Sequence, residues 1–178
     1  MFESLVTDRC VLRPFRKEDV PALVKHANDR LVWLQLTDRF PHPYTELDAQ
    51  QWLAHVQRAD PLTHFAIEVS GEACGGIGLE PKVDVHAGSA EIGYWLGQAV
   101  WGHGIATAAV RALTDFAFER RTWRRLFAGV YASNPASMRV LEKVGYRREG
   151  FLRHAVIKDG KILDQVVFGL TQEDWRPR

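Results

Sequence analysis

Residues 91–107 constrain the fold more than any other part of this chain. Glu91-Ile92-Gly93-Tyr94-Trp95-Leu96 reads as a strand, Gly97 to Val100 leaves it, and Trp101-Gly102-His103-Gly104-Ile105-Ala106-Thr107 carries a glycine-rich turn into a helix. Such a turn is suited to an anion. The first backbone N–H groups of a helix have no internal acceptor, and the helix dipole favours negative charge beside them. Gly102 and Gly104 let the chain wrap closely around phosphate oxygens, and Ala106 keeps the first turn clear. Glycines that merely end a strand give the same pattern, so the turn alone leaves both readings open. It is not a dinucleotide fingerprint, because Thr107 stands where a third glycine belongs. It is not a P-loop, because no Gly-Lys-Ser/Thr follows.

A second segment repeats the strand–turn–helix order. Asn134 suits an N-cap, Pro135 the first helical position, and Gly145 the C-terminal stop after Leu141-Glu142-Lys143-Val144. Capping alone accounts for these residues. Neighbouring strands would, however, bring this turn and the first to one sheet edge. The remaining pattern is mixed: a strand over Cys10–Phe15, a helix over Glu18–Asn28, and a helix over Thr45–Arg58 with Thr45 as N-cap and Asp48 at its third position. Phe65–Val69 and Cys74–Leu79 form a hairpin around Ser70-Gly71-Glu72. Ala90–Leu96 is a strand, and Ile105–Glu119 a helix with apolar residues at 105, 109, 112, 113 and 116. Leu126–Tyr131 is a strand, Asn134–Val144 a helix, and Tyr146–Ile157 and Lys161–Leu170 close the chain through Lys158-Asp159-Gly160. Gly75-Gly76-Ile77-Gly78 lies inside a strand and reads as packing or a bulge.

Composition excludes several classes. A chain of 178 residues, 46% apolar and 25% charged, fits one globular domain over residues 1–178. A net charge of +1 gives no field that gathers nucleic acid or membrane. The stretch Gly88–Arg111 is interrupted by Glu91 and by Gly, Gln and His, so no span is expected. Met1-Phe2-Glu3-Ser4-Leu5 lacks a basic segment and an apolar signal core, which predicts a cytoplasmic protein. Two cysteines, Cys10 and Cys74, argue for a reducing compartment. The seven histidines make no His-x-x-x-His pair, and no Cys-x-x-Cys occurs, so the spacing predicts no metal.

Taken in order, these segments resemble the GNAT acetyltransferases. Trp101-Gly102-His103-Gly104-Ile105-Ala106 is similar to that family's coenzyme A pyrophosphate motif, Arg/Gln-x-x-Gly-x-Gly/Ala, with Trp101 departing at the first position. The Trp-Gly-x-Gly-x-Ala form resembles the branch of ribosomal-protein N-terminal acetyltransferases. The likeness extends to Thr7–Pro14, Pro41–Thr45 with Asp48-Ala49, Glu91–Leu96, Asn134–Ser137, Gly145-Tyr146 and Glu149-Gly150. The resemblance implies an α/β (α+β) GNAT fold: a bent seven-stranded mixed sheet, about four helices, and splayed fourth and fifth strands holding the pantetheine arm. It implies that acetyl-coenzyme A is the acetyl donor. Backbone N–H groups from Gly102 to Thr107 (His103, Gly104, Ile105 and Ala106 between) would hold the pyrophosphate. The Leu96 N–H would face the thioester carbonyl, Asn134 would bond the pantetheine arm, and Ser137 would protonate the leaving thiolate. Glu91 would act as general base through water. Some relatives place a Glu on the strand after the last helix. Here Arg153-His154-Ala155-Val156 has no carboxylate before Asp159, which leaves His154 as the alternative base and pairing with a neighbouring Arg as the alternative role of Glu91.

Other features carry less. Arg120-Arg121-Thr122-Trp123-Arg124-Arg125 fits a solvated helix end better than a nucleic-acid patch. Trp33, His42 and Tyr44 are the candidate acceptor contacts, although most aromatics in this region, with Phe40 and Trp52, fit a core. Three functions follow: acetylation of a protein N-terminus, acetylation of a small amine (amino acid, polyamine or antibiotic), or a non-catalytic coenzyme A-binding regulatory module, supported only by the missing carboxylate. No nucleic-acid or membrane partner is expected, and a homodimer is allowed.

Overall fold

The N-terminal third is built from short elements that periodicity only partly reveals. In the computed structural model, which describes residues 4–58, 63–120 and 123–176, the first strand is Leu5–Val6 (β1), paired antiparallel with Val11–Arg13 (β2). Met1, Phe2 and Glu3 of the expected leaderless start lie outside the described residues. A 3₁₀ turn at Lys17–Asp19 leads into Val20–Ala27 (α1), and Arg30–Trp33 (α2) is a single helical turn capped by Asp29, whose side chain accepts from the Leu31 N–H. Glu46–Val56 (α3) begins at Thr45 as expected. The Thr45 hydroxyl accepts from the Asp48 N–H, and the Asp48 carboxylate accepts from the Thr45 N–H at 2.8 Å, a reciprocal capping box.

His64–Val69 (β3) and Glu72–Pro81 (β4) form the expected hairpin. Ser70 and Gly71 have φ of 51° and 84°, the doubly positive turn that matches strand twist. The register skips one residue. Ile67 lies opposite Gly75 but Glu68 opposite Ala73, which leaves Cys74 as a bulge. Ser89–Leu96 (β5), Ile105–Glu119 (α4), Arg125–Tyr131 (β6), Pro135–Val144 (α5), Arg147–Lys158 (β7) and Lys161–Thr171 (β8) complete the described chain.

The fold is mixed α/β, as expected, with eight strands rather than seven and five α-helices rather than four among the described residues. β1 and α2, of two and four residues, are too short to show a period in sequence. The chain divides into two compact units, residues 1–78 with 94–109, and residues 79–93 with 110–178. Through the first the hydrogen-bonded order is β1-β2-β3-β4-β5, and through the second β5-β6-β8-β7. The β5–β6 pairing is parallel and its register covers only Ser89–Glu91 against Arg125–Phe127, whereas β6 pairs with β8 over its whole length.

In the first unit, Phe15, Leu23, Ala27, Tyr44, Ala49, Leu53, Val56, Ala66 and Ala73 form a buried cluster, with Phe40, Trp52 and Trp95 packed against it. In the second, Leu113, Phe118, Leu126, Leu141 and Phe168 are fully buried. The buried stripe of α4 falls on residues 105, 109, 110, 113, 114, 117 and 118, one step round the helix from the expected face. Phe116 is left half-buried under the Arg120 guanidinium, 4.4 Å from its ring. Of the basic run, Arg121 and Thr122 lie outside the described residues, Trp123 is buried and Arg125 pairs with Glu149 at 2.7 Å.

A buried ion pair anchors the first unit. Arg13 on β2 donates twice to Asp19, at 2.8 Å each, and also to Glu68 on β3. Burial alone would raise the Asp19 carboxyl, but the Arg13 guanidinium and the Arg16 N–H hold it below its ordinary value. A carboxyl depressed on folding stabilises above its unfolded value of about 3.9 and loses that contribution as pH falls through the folded value. Asp19→Asn is therefore expected to destabilise by about 3 kcal/mol at neutral pH, by leaving half a buried pair. Urea unfolding should show this difference shrinking below about pH 4. A variant with wild-type stability at pH 7 would contradict this.

Candidate active site

In the first unit the glycine-rich turn has the geometry its sequence predicts. Gly102 and Gly104 have φ of 81° and 78°, and a Cβ at either would meet open space. The Gly104 carbonyl accepts the first helical bond, from Ala108 at 3.1 Å. Gly104 is therefore the N-cap of α4, and helix geometry leaves the N–H groups of Ile105, Ala106 and Thr107 without an internal acceptor. Residues 101–104 are exposed, Ile105 is buried, and Ala106 and Thr107 are half-buried. Trp101, the departure from the usual motif, has a structural part. Its indole Nε1–H donates to the Leu96 carbonyl at 2.8 Å, tying the start of the turn to the end of β5.

Leu96 is held from the β4 side as well. The Gly97 N–H donates to the Cys74 carbonyl at 2.8 Å, and a Cβ on Gly75 would overlap the Trp95 carbonyl. At Gly76 a Cβ would come within 2.9 Å of Trp95 Nε1. The glycines of β4 thus serve close packing, as their position inside a strand predicts.

The aromatic candidates separate into two groups. Trp33 and His42 stack, with ring centroids 5.6 Å apart and planes at 27°. Tyr44 belongs instead to the core. It is 5% exposed and lies 5.0 Å from Phe40, and burial pushes its phenol up to about 12. Phe40 in turn lies edge-on to Trp95 at 5.3 Å.

In the second unit, Asn134 caps α5 as expected, its Oδ1 accepting from the Ser137 N–H at 3.0 Å. The cap leaves the Asn134 Nδ2 amide as its remaining donor, and it fixes the Ser137 backbone in the first turn. Gly145 ends the helix at φ 113°, and the Tyr146 hydroxyl pairs with Thr114 at 2.9 Å, both residues buried. Glu91 carries an ion pair, with Lys82 rather than an arginine. Lys82 Nζ lies 2.7 Å from Glu91 Oε2 and 5.3 Å above the Phe127 ring. The partner was missed because it stands nine residues away, across the turn between β4 and β5. The buried positions of β5 are 90, 92 and 96, so Glu91 and Leu96 fall on opposite faces as alternation requires. His154 sits in an irregular stretch of β7. Leu152 pairs with Gln165 and Val156 with Leu163, His154 has φ 53°, and its N–H donates to the Asp164 carboxylate at 2.8 Å. Among the described residues no helix is long and apolar enough to cross a membrane.

Comparison with known proteins converges on one family. Residues 9–147 match the Acetyltransferase (GNAT) domain. Uncharacterized N-acetyltransferase p20 of Bacillus licheniformis is 30% identical over 181 residues, covering 97% of this chain and 98% of that protein. The [ribosomal protein uS5]-alanine N-acetyltransferase of Escherichia coli is 29% identical over 86 residues, 48% of this chain and 44% of that one. Among solved structures, Mycobacterium smegmatis RimJ in complex with CoA-disulfide superposes with a TM-score of 0.79 at 27% identity, covering 92% of this chain and 82% of that one.

Proposed function

We propose that this chain, which belongs to the GNAT acetyltransferase family and is an N-acetyltransferase, uses acetyl-coenzyme A to acetylate the N-terminal amine of a protein, residues 1–178 acting as one catalytic domain. The observation that carries the donor is the pair of left-handed glycines facing open space at the start of α4. The acceptor class rests on the partial likeness to the uS5-alanine enzyme, and the likeness to the CoA-disulfide complex of RimJ supports the coenzyme A donor. Each residue then has one task. The N–H groups from Gly102 to Thr107 bind pyrophosphate oxygens. The Leu96 N–H stabilises the oxyanion formed as the amine attacks the thioester carbon. Asn134 Nδ2 bonds the pantetheine arm, and the Ser137 hydroxyl gives its proton to the departing thiolate. The Trp33–His42 stack contacts the acceptor.

The reading is tested by following free-thiol release from acetyl-coenzyme A with a panel of short peptides and small amines. Peptides with a free N-terminus should turn over and N-blocked ones should not. Selective turnover of a polyamine, amino acid or antibiotic would replace this acceptor class with the small-amine alternative.

The amine must also lose a proton, and Glu91 is the assigned acceptor of it. Its carboxylate is engaged by Lys82 at 2.7 Å and must leave that partner to reach the amine, so the expected loss in Glu91→Gln is about tenfold at neutral pH, below the 10²–10⁴ typical of a well-placed base. Part of that loss should return at high pH, where more amine is already neutral. Parallel pH–rate profiles for the two forms would remove Glu91 as the base in favour of His154 or solvent.

A further inference from the structure

We propose that His26, Glu72 and Cys74 form a binding site for a divalent metal ion of the zinc class, clipping the last turn of α1 to the start of β4. The ligand atoms of the three side chains lie within 4.8 Å of one another. Imidazole, carboxylate and thiolate are the ordinary zinc donors, and three of them leave a fourth position for water. No spacing rule finds this set. His26 comes from a helix, and Cys74 is the bulged residue of β4. A bulge is a common device for re-aiming a side chain.

Two of the three ligands are already fixed. Cys74 and His26 are 4% and 6% exposed. A Cβ on Gly97 would overlap the His26 ring at Nδ1, so the Nδ1 edge of the ring lies against that backbone, with Nε2 facing Glu72 at 3.1 Å. The Gly97 N–H in turn holds the Cys74 carbonyl. The third ligand can adjust, since the Glu72 side chain is 40% exposed. Donor atoms around a tetrahedral zinc stand about 3.3–3.8 Å apart, from bond lengths of 2.0–2.3 Å. Closing the cluster therefore needs a shift of at most about 1 Å.

A cation already occupies the approach. Lys25 Nζ lies 2.7 Å from the same Glu72 oxygen that faces His26. The Lys25 side chain is 62% exposed, so its ammonium can withdraw into water as a metal arrives. Beside it a cavity of about 310 Å³, lined by Glu18, Asp19, Lys25 and Glu72 among others, reaches the cluster at Glu72. Binding exchanges protons and ligands without redox chemistry. The metal takes Nε2 of His26, whose proton facing Glu72 passes to Nδ1 or to solvent, together with one Glu72 oxygen and the Cys74 sulfur; the thiol proton passes to solvent, and Lys25 releases the carboxylate.

The test is titration of the chelator-stripped, dialysed full-length protein with Co(II), and then displacement by Zn(II). The wild type should develop a sulfur-to-cobalt charge-transfer band and tetrahedral d–d bands that saturate at one equivalent and vanish on adding zinc. Cys74→Ser should remove the charge-transfer band, and Cys10→Ser should leave it intact. Glu72→Gln, at an exposed side chain that folding tolerates, should weaken Zn(II) binding at least about tenfold, since even supporting partners of a metal ligand are worth 10–100-fold. Absence of the band in the wild type, its survival in Cys74→Ser, or unchanged affinity in Glu72→Gln would overturn the site.

Discussion

Gly104→Val is expected to abolish the rise in melting temperature that acetyl-coenzyme A should give the wild-type protein. A ligand that binds only the folded state stabilises it by mass action, by about 2.7 kcal/mol at a hundred times its dissociation constant. In the proposed site that stabilisation would depend on backbone donors reaching phosphate oxygens at the start of α4. Gly104 holds φ 78°, and the place its Cβ would occupy is empty of protein atoms. A branched side chain there fills the space the pyrophosphate needs. It also forces a β-branched residue into left-handed backbone, which costs about 1–2 kcal/mol. The two effects separate with a second variant. Gly145→Ala strains another left-handed position, φ 113°, at the far end of α5. It should lower the melting temperature without ligand yet retain the ligand-induced rise. Gly104→Val should lower the first and lose the second. A full ligand-induced rise in Gly104→Val would sink the assignment of residues 102–107 to the pyrophosphate.

The features that could be read from sequence are those fixed by local chemistry. The Thr45–Asp48 capping box, the Asn134–Pro135 start and Gly145 stop of α5, and the two glycines before α4 each depend on atoms within a few residues of one another. The hairpins were legible for the same reason. The chain could not announce what strand pairing decides. The bulge at Cys74 exists only because β3 passes it in a shifted register, and the irregularity around His154 exists only against β8. Side-chain partners across turns were hidden too. Glu91 has a lysine nine positions back, and the His26–Glu72 contact spans 46 residues. Tyr44 shows a further limit. Its aromatic neighbours mark the region correctly, but whether one ring faces the core or the surface depends on packing against Phe40 and Asn28, whose Oδ1 accepts the Tyr44 N–H at 3.0 Å.

Ser137→Ala is expected to lower turnover by about 10²–10⁴-fold, the usual worth of a positioned proton donor, while binding of acetyl-coenzyme A should stay within a few-fold of wild type. The structure favours a clean test. The Ser137 backbone is held by its N–H bond to Asn134 Oδ1, and that bond does not involve the hydroxyl. Alanine is the better helix former at this place, so α5 should keep its cap and its position. Loss of the hydroxyl then removes the proposed proton donor while the backbone cap is kept. As the tetrahedral adduct collapses, the C–S bond breaks and the sulfur carries the electron pair away. A thiolate that gains a proton in that step is a better leaving group than one expelled as an anion. The effect should therefore fall on kcat, with the KM for acetyl-coenzyme A unchanged, since a hydroxyl in the proposed role would act in the transition state rather than in ground-state binding. Ser137→Cys, which restores a donor of weaker hydrogen-bonding power, should recover part of the rate. A purely structural serine predicts another pattern: near-wild-type turnover in the alanine variant, or parallel losses of rate and melting temperature in both. Either result returns Ser137 to an ordinary first-turn residue, and the leaving thiolate would then take its proton from water.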